Sequence, residues 1–281
     1  MNEPARLTLV IVGHITSDIV PGGSVPGGTV TYAGTMARNL GARVRVVTSV
    51  GADLDVATIL TGIEARVVPS PTSSVFENIY EGTHRRQYIR SVARRLEAEA
   101  VPCEWRSPDI VLLAPLTNEV DPGVEDVFDG ALRAATPQGW LRRWGPDGLV
   151  RHDGWGSLVE RLRRLDIVIM SEEDVDRNAD TIHLLAEAIP LLVVTRGARG
   201  GTIFSGGTER DFVAFPASEV EPTGAGDAFA GAFLVEYART RDVARATRLA
   251  ACAASFVVEH AGASGIPTLE QVRARQAATH L

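Results

Sequence analysis

Residues 221–234 read EPTGAGDAFAGAFL: two glycines around an alanine, an aspartate, then an apolar run. Gly224 and Gly226 let backbone approach a ligand closely, and either tolerates positive φ. The run 228–234 suits a buried helix, so the loop aims first-turn amides and a helix dipole at one point. Such a point binds anions. A carboxylate there, Asp227, repels a ground-state phosphate; its chemical use is to accept a proton from an attacking hydroxyl. Beside a helix N-terminus it is expected to titrate low and stay ionised. The same residues also read as a helix capped by Asp227 after a tight glycine turn, and taken alone they leave both readings open.

A second cluster lies near the N-terminus. A strand expected over 7–13 leads to Asp18, then to Gly27-Gly28-Thr29, then to a helix containing Asn39. A carboxylate just past a strand end accepts from vicinal hydroxyls, and a glycine pair lets a polyol sit flush against backbone. The alternative is a turn aspartate followed by a flexible loop.

All 28 basic residues are arginine. The absence of lysine excludes a Walker A phosphate loop, Schiff-base chemistry on lysine and the lysine-bearing strand of protein kinases. Phosphate must be handled by backbone amides, a metal or arginine. A net charge of −7 and a pI near 5.4 argue against nucleic acid as a partner. Two cysteines, Cys103 and Cys252, form neither a metal-ligand spacing nor a disulfide framework, so a cytoplasmic protein is expected. The run 7–13 is too short for a signal core or a membrane span.

These residues need a scaffold, and the alternation of apolar runs supplies one. Strands are expected over 7–13, 43–50, 110–113, 167–170, 191–195 and 202–205. Helices are expected over 29–40, 122–135, 157–165, 181–188, 225–239 and 243–259. The order implies a three-layer α/β/α unit on a mostly parallel sheet, with ligands at the strand C-terminal edge. Residues 73–95 alternate as a hairpin turning at Glu81-Gly82. With the irregular segment 14–31 they form a small β lid on a single domain spanning 1–281. An exposed lid edge invites pairing, so a homodimer is expected.

Both clusters, in this order and separation, resemble the PfkB (ribokinase-like) carbohydrate kinase family. The C-terminal signature appears as 221–227, and the N-terminal one as Gly27-Gly28 with Asn39-Leu40-Gly41. The resemblance implies an ATP-dependent carbohydrate kinase of ribokinase-like fold, with Asp227 as base. The amides of Gly224, Ala225, Gly226 and Asp227 would form its anion hole. It further implies that Asp18, Gly27, Gly28, Thr29 and Asn39 hold substrate, and that Thr195, Gly197, Gly200, Thr223 and Gly262 hold the nucleotide. Arg196 would add charge near the phosphates. The family's metal-organising Asn-x-x-Glu is replaced by 171–174, where Glu172 and Asp174 would orient Mg²⁺ through waters. Glu221 replaces an aspartate linked to monovalent-cation sites. The segment 137–144 is similar to the myo-inositol kinase-like branch, with Gln138 and Arg142 as hydroxyl contacts; Trp140 and Trp144 contact substrate or simply pack. The sequence alternatives are a nucleoside or phosphosugar kinase, the latter using Arg85, Arg86 and Arg90, and a non-catalytic sugar or nucleotide sensor on the same fold.

Overall fold

The computed structural model describes residues 6–81, 84–152, 155–156 and 158–279. The first part of the chain holds β1 (Thr8–Val12), β2 (Thr16–Val20), β3 (Gly23–Gly27), α1 (Thr29–Asn39), β4 (Arg43–Val50) and α2 (Val56–Ile59). Next come β5 (Glu64–Pro69), β6 (Ser74–Glu81), β7 (His84–Ser91), β8 (Ile110–Leu113) and β9 (Leu132–Ala135). A short pair, β10 (Arg142–Arg143) and β11 (Arg151–His152), precedes α3 (Leu158–Leu162), β12 (Ile167–Ser171), α4 (Ala179–Ala188) and β13 (Leu191–Thr195). The chain then runs through β14 (Gly201–Ser205), β15 (Thr208–Phe212), α5 (Ala225–Thr240), α6 (Val243–Val257) and α7 (Leu269–Ala278).

Nine strands form one sheet in the order β15-β14-β13-β12-β9-β8-β1-β4-β5. It is parallel from β13 to β5, and β14 and β15 add antiparallel at one edge. The central strands β1, β8, β12 and β13 are nearly continuous apolar runs because both faces are covered. In β1, Leu9 and Ile11 join the core under α1, α5, α6 and α7, while Val10 and Val12 join the core under α3 and α4. The three-layer expectation holds. A second sheet, in the order β3-β2-β6-β7, stands off the first.

Several expectations change. The helix expected over 122–135 is a 3-10 turn, Pro122–Val127, followed by β9. Asp121 caps the turn, but Gly130 at φ 67° stops any continuation and lets the chain re-enter the sheet. The irregular segment 14–31 contains β2 and β3, which pair antiparallel. The edge strands β5 and β15 carry exposed polar residues and no apolar run announces them. The expected turn residue Gly82 and the expected helix start Ser157 lie outside the described residues.

Candidate active site

The C-terminal ends of β8, β9, β12 and β13 open onto one cavity of about 350 Å³. The small sheet walls its other side with Thr16, Asp18, Phe76, Asn78 and Gln87. Two helix N-termini also meet there. Helices α1 and α5 pack so closely that a Cβ on Gly231 would stand 2.5 Å from the Ala33 carbonyl oxygen. That contact places Thr29, the first residue of α1, beside Asp227 in the first turn of α5.

Gly224 enters α5 at φ 81°, and a Cβ on it would meet the Tyr32 ring at 2.3 Å. Gly226 is different: its φ is not positive, and a Cβ would meet nothing within 4 Å. First-turn amides lack intrahelical acceptors and face the cavity mouth, although the Ala225 amide reaches the Pro222 carbonyl at 3.3 Å.

The Asp227 carboxylate does not cap α5. Its Oδ1 accepts from the Thr29 hydroxyl at 2.8 Å and lies 3.5 Å from the Gln138 amide nitrogen. The expectation of a low-titrating Asp227 is overturned: burial pushes its carboxyl up to about 6, against the Thr29 hydrogen bond and Arg142, with Asp174 and Asp18 adding repulsion. Loss of hydration outweighs the favourable helix end.

Gln138 sits on a 3-10 turn, Pro137–Leu141. The turn packs so tightly on the preceding loop that a Cβ on Gly139 would stand 2.2 Å from the Pro115 backbone. Trp140 is core: its indole donates to the Val120 carbonyl, and Arg161 stacks on its ring. Arg142 donates to the Leu116 carbonyl at 3.1 Å and to the Gln138 oxygen at 2.9 Å. The Leu116 loop is in turn pinned by Glu119, a buried carboxylate accepting from the amides of His14, Leu116 and Thr117.

Asp18 faces the cavity, accepts from Thr16 at 3.1 Å, and lies so close to Gly27 that a Cβ there would meet Oδ2 at 2.4 Å. Gly28 at φ 91° is likewise required, since a Cβ would strike the His14 carbonyl oxygen at 2.5 Å. Thr195 and Thr223 line the cavity.

Other expected site residues lie elsewhere. Asn39 ends α1, the far end from the cavity, and its amide donates to the Pro267 carbonyl. Gly197 and Gly200 shape the tight turn joining β13 to β14, where the Arg196 amide donates to the Gly200 carbonyl. Gly262 donates its amide to the Glu221 carboxylate at 3.1 Å, tying two loops together. Arg90 pairs with Glu77 and lies over Tyr88 away from the cavity; the side chain of Arg85 lies outside the described residues.

The expected metal pair does not converge. Glu172 is ringed by Arg177 at 3.4 Å, Arg196 at 3.3 Å and Arg199, so its charge is already matched. Asp174 faces the cavity, accepts from the Ser171 amide at 2.9 Å, and is pushed up by burial. Among the described residues no group of three or more His, Cys, Asp or Glu side chains is arranged to hold a metal by itself. This donor set fits Mg²⁺, which keeps several waters and takes phosphate oxygens, with Asp174 as the carboxylate on the wall.

The sequence reading missed Tyr32, Phe76, Asn78 and Gln87. Strand alternation carried the signal for the last three, because Asp18, Phe76 and Ile89 occupy matched positions across the small sheet.

A family model described as pfkB family carbohydrate kinase matches residues 161–269, which contain β12, Asp174, the α5 loop and Asp227. The chain carries a pfkB family carbohydrate kinase domain. The kinase domain is 28% identical over 265 residues to a cytidine kinase of Thermococcus kodakarensis, covering 86% of this chain and 93% of that one. Among solved structures, a pyrophosphate-dependent kinase of the ribokinase family complexed with a pyrophosphate analog and myo-inositol superposes with a TM-score of 0.78 at 21% identity, covering 90% and 96% of the two chains. A Thermotoga maritima ribokinase gives 0.74 at 22% identity, covering 96% and 99%. Among the described residues no helix is long and apolar enough to cross a membrane.

Proposed function

We propose that this kinase domain transfers a phosphoryl group to a hydroxyl of a small polyol, a sugar or a cyclitol of the myo-inositol type. The observation that carries the reading is Asp227, half-buried and hydrogen-bonded to Thr29 in a polar cavity at the N-terminus of α5. Asp227 takes the hydroxyl proton as the acceptor oxygen attacks the terminal phosphorus. The bond to the leaving oxygen breaks, and its electron pair departs with the donor product. The amides of Gly226 and Asp227 donate to the transferring group as charge builds on it. Asp18 and Asn78 are the acceptor-side groups; Thr195 and Thr223 flank the donor side. Asp174 would hold Mg²⁺ through waters, and the ion would supply neutralisation of the donor's charge. ATP is the proposed donor.

A nucleoside acceptor is the second reading, supported by the near-full-length similarity to a cytidine kinase and by Phe76, an aromatic ring on the cavity wall. A panel of myo-inositol, ribose, fructose and cytidine, each with Mg²⁺ and ATP or pyrophosphate, separates these readings. Turnover on a polyol is expected. Asp227→Asn should lower kcat by roughly 10²–10⁴-fold while nucleotide binding persists; near-wild-type kcat in that variant rejects the base.

A further inference from the structure

The Thr29 hydroxyl is wholly buried, so no solvent or bulky ligand competes for it. It donates to Asp227 Oδ1 at 2.8 Å. The Gln138 amide nitrogen lies 3.4 Å from the Thr29 oxygen and 3.5 Å from the same Asp227 oxygen. Arg142 donates to Gln138 Oε1 at 2.9 Å, which turns the amide's N–H side toward Asp227, and the Leu116 carbonyl anchors Arg142 in turn. The sequence reading gave Thr29 and Gln138 to the substrate. Their hydrogen bonds go to the base.

We propose that Thr29 is a positioning residue: together with Gln138 and Arg142 it fixes one oxygen of Asp227 and leaves the other to face the acceptor hydroxyl. The inference rests on the function proposed above. A general base works only when the accepting oxygen sits within hydrogen-bond reach of the proton it removes. A carboxylate with one oxygen pinned cannot rotate away. The hydrogen bond also favours the ionised form, against burial and against Asp174 and Asp18. Tyr32, from α1, also borders this side, and its phenol is pushed well above the usual range by burial and by Asp18, Asp227 and Glu221.

The test compares Thr29→Val, which keeps shape and removes the hydroxyl, with Thr29→Ser, which restores it. Thr29→Val should lower kcat about 10–100-fold with KM for the acceptor within about threefold, and move the acid limb of the kcat/KM profile to higher pH. Thr29→Ser should return both to near wild type. Gln138→Met, cutting the chain from its other end, should shift kcat in the same direction. A second readout needs no substrate: the ¹³C titration of the Asp227 carboxyl in the ligand-free protein should move up in Thr29→Val and return in Thr29→Ser. Thr29→Val with wild-type kcat and an unmoved titration, while Asp227→Asn is inactive, overturns the positioning role and leaves the functional reading standing. A loss confined to KM, with kcat and the titration unmoved and KM restored by serine, overturns it as well, assigning the Thr29 hydroxyl to the substrate.

Discussion

At the scale of single residues, Asp227 is governed by two opposed surroundings. The helix end, Thr29 and Arg142 favour its charge; the loss of water and two neighbouring carboxylates oppose it, and they prevail. A base must be ionised, so kcat/KM should rise with pH through about 6 and then level off. A profile with its acid limb near 4 would show that the carboxyl is solvated in the working enzyme. The same balance sets a stability prediction with a definite sign. The folded state binds the Asp227 proton more tightly than the unfolded chain does, so the stability it contributes is full at low pH, is lost as pH rises from about 4 through 6, and stays lost above that. Asp227→Asn should therefore raise Tm at pH 8, where it removes a disfavoured charge, and leave it nearly unchanged at pH 4, where wild type is already neutral. Equal shifts at both pH values would point to packing instead. Residue type and spacing marked this aspartate in the sequence. Its ionisation was not legible there, because burial comes from the surrounding fold and the repelling Asp18 and Asp174 arrive from distant segments, β2 and the turn after β12. Glu172 failed for a related reason: three arginines, two of them beyond β13, claim it in space.

At the scale of elements, the site depends on how α1 and α5 meet. Their contact is set by Gly231 against Ala33, which holds Thr29 within hydrogen-bond distance of Asp227. Gly231→Val would force the helices apart, an overpacking cost of about 1–3 kcal/mol. It should lower both Tm and kcat, with differential scanning calorimetry and a turnover assay as the measurements. The α5 entry offers a contrast within three residues. Gly224→Ala meets positive φ and the Tyr32 ring, so it should cost about 1–3 kcal/mol and perturb the anion-binding turn. Gly226→Ala has open space and ordinary φ, and should leave Tm unchanged or raise it slightly. Equal damage from the two would refute the assignment. Buried parallel strands such as β1, β8 and β13 were legible because their apolar runs are continuous. β9 was not: Leu132-Arg133-Ala134-Ala135 suits a helix as well as a strand, and only Gly130 before it argued for a break.

At the scale of the whole molecule, the cavity is assembled from both sheets. The large sheet and its helices bring Asp227, Gln138, Asp174 and Thr195; the small sheet brings Asp18, Phe76 and Asn78. We read the chain as one domain with the small sheet as its lid, and that reading has a thermodynamic consequence. The small sheet shares a satellite core with the rest through Phe76, Ile89 and Leu116, and the buried His14 joins Ser74 on β6 to the end of β1 at 2.7 Å. Elements joined this way should unfold together, giving one calorimetric transition whose enthalpy equals the van't Hoff value. An acceptor bridging both sheets at about 100 times its Kd adds about 2.7 kcal/mol to the stability of the folded state. In a chain of this size that raises Tm by roughly 5 °C. The whole transition should move by that amount and stay single. Were the small sheet an independent unit, an earlier, lower-enthalpy transition would precede the main one, and acceptor would shift the earlier transition until the two merged. Because Asp18 lies on the small sheet and Asp227 on the large unit, Asp18→Asn and Asp227→Asn separate the contributions. The first should abolish most of the acceptor-induced shift, whereas the second should preserve it while removing turnover.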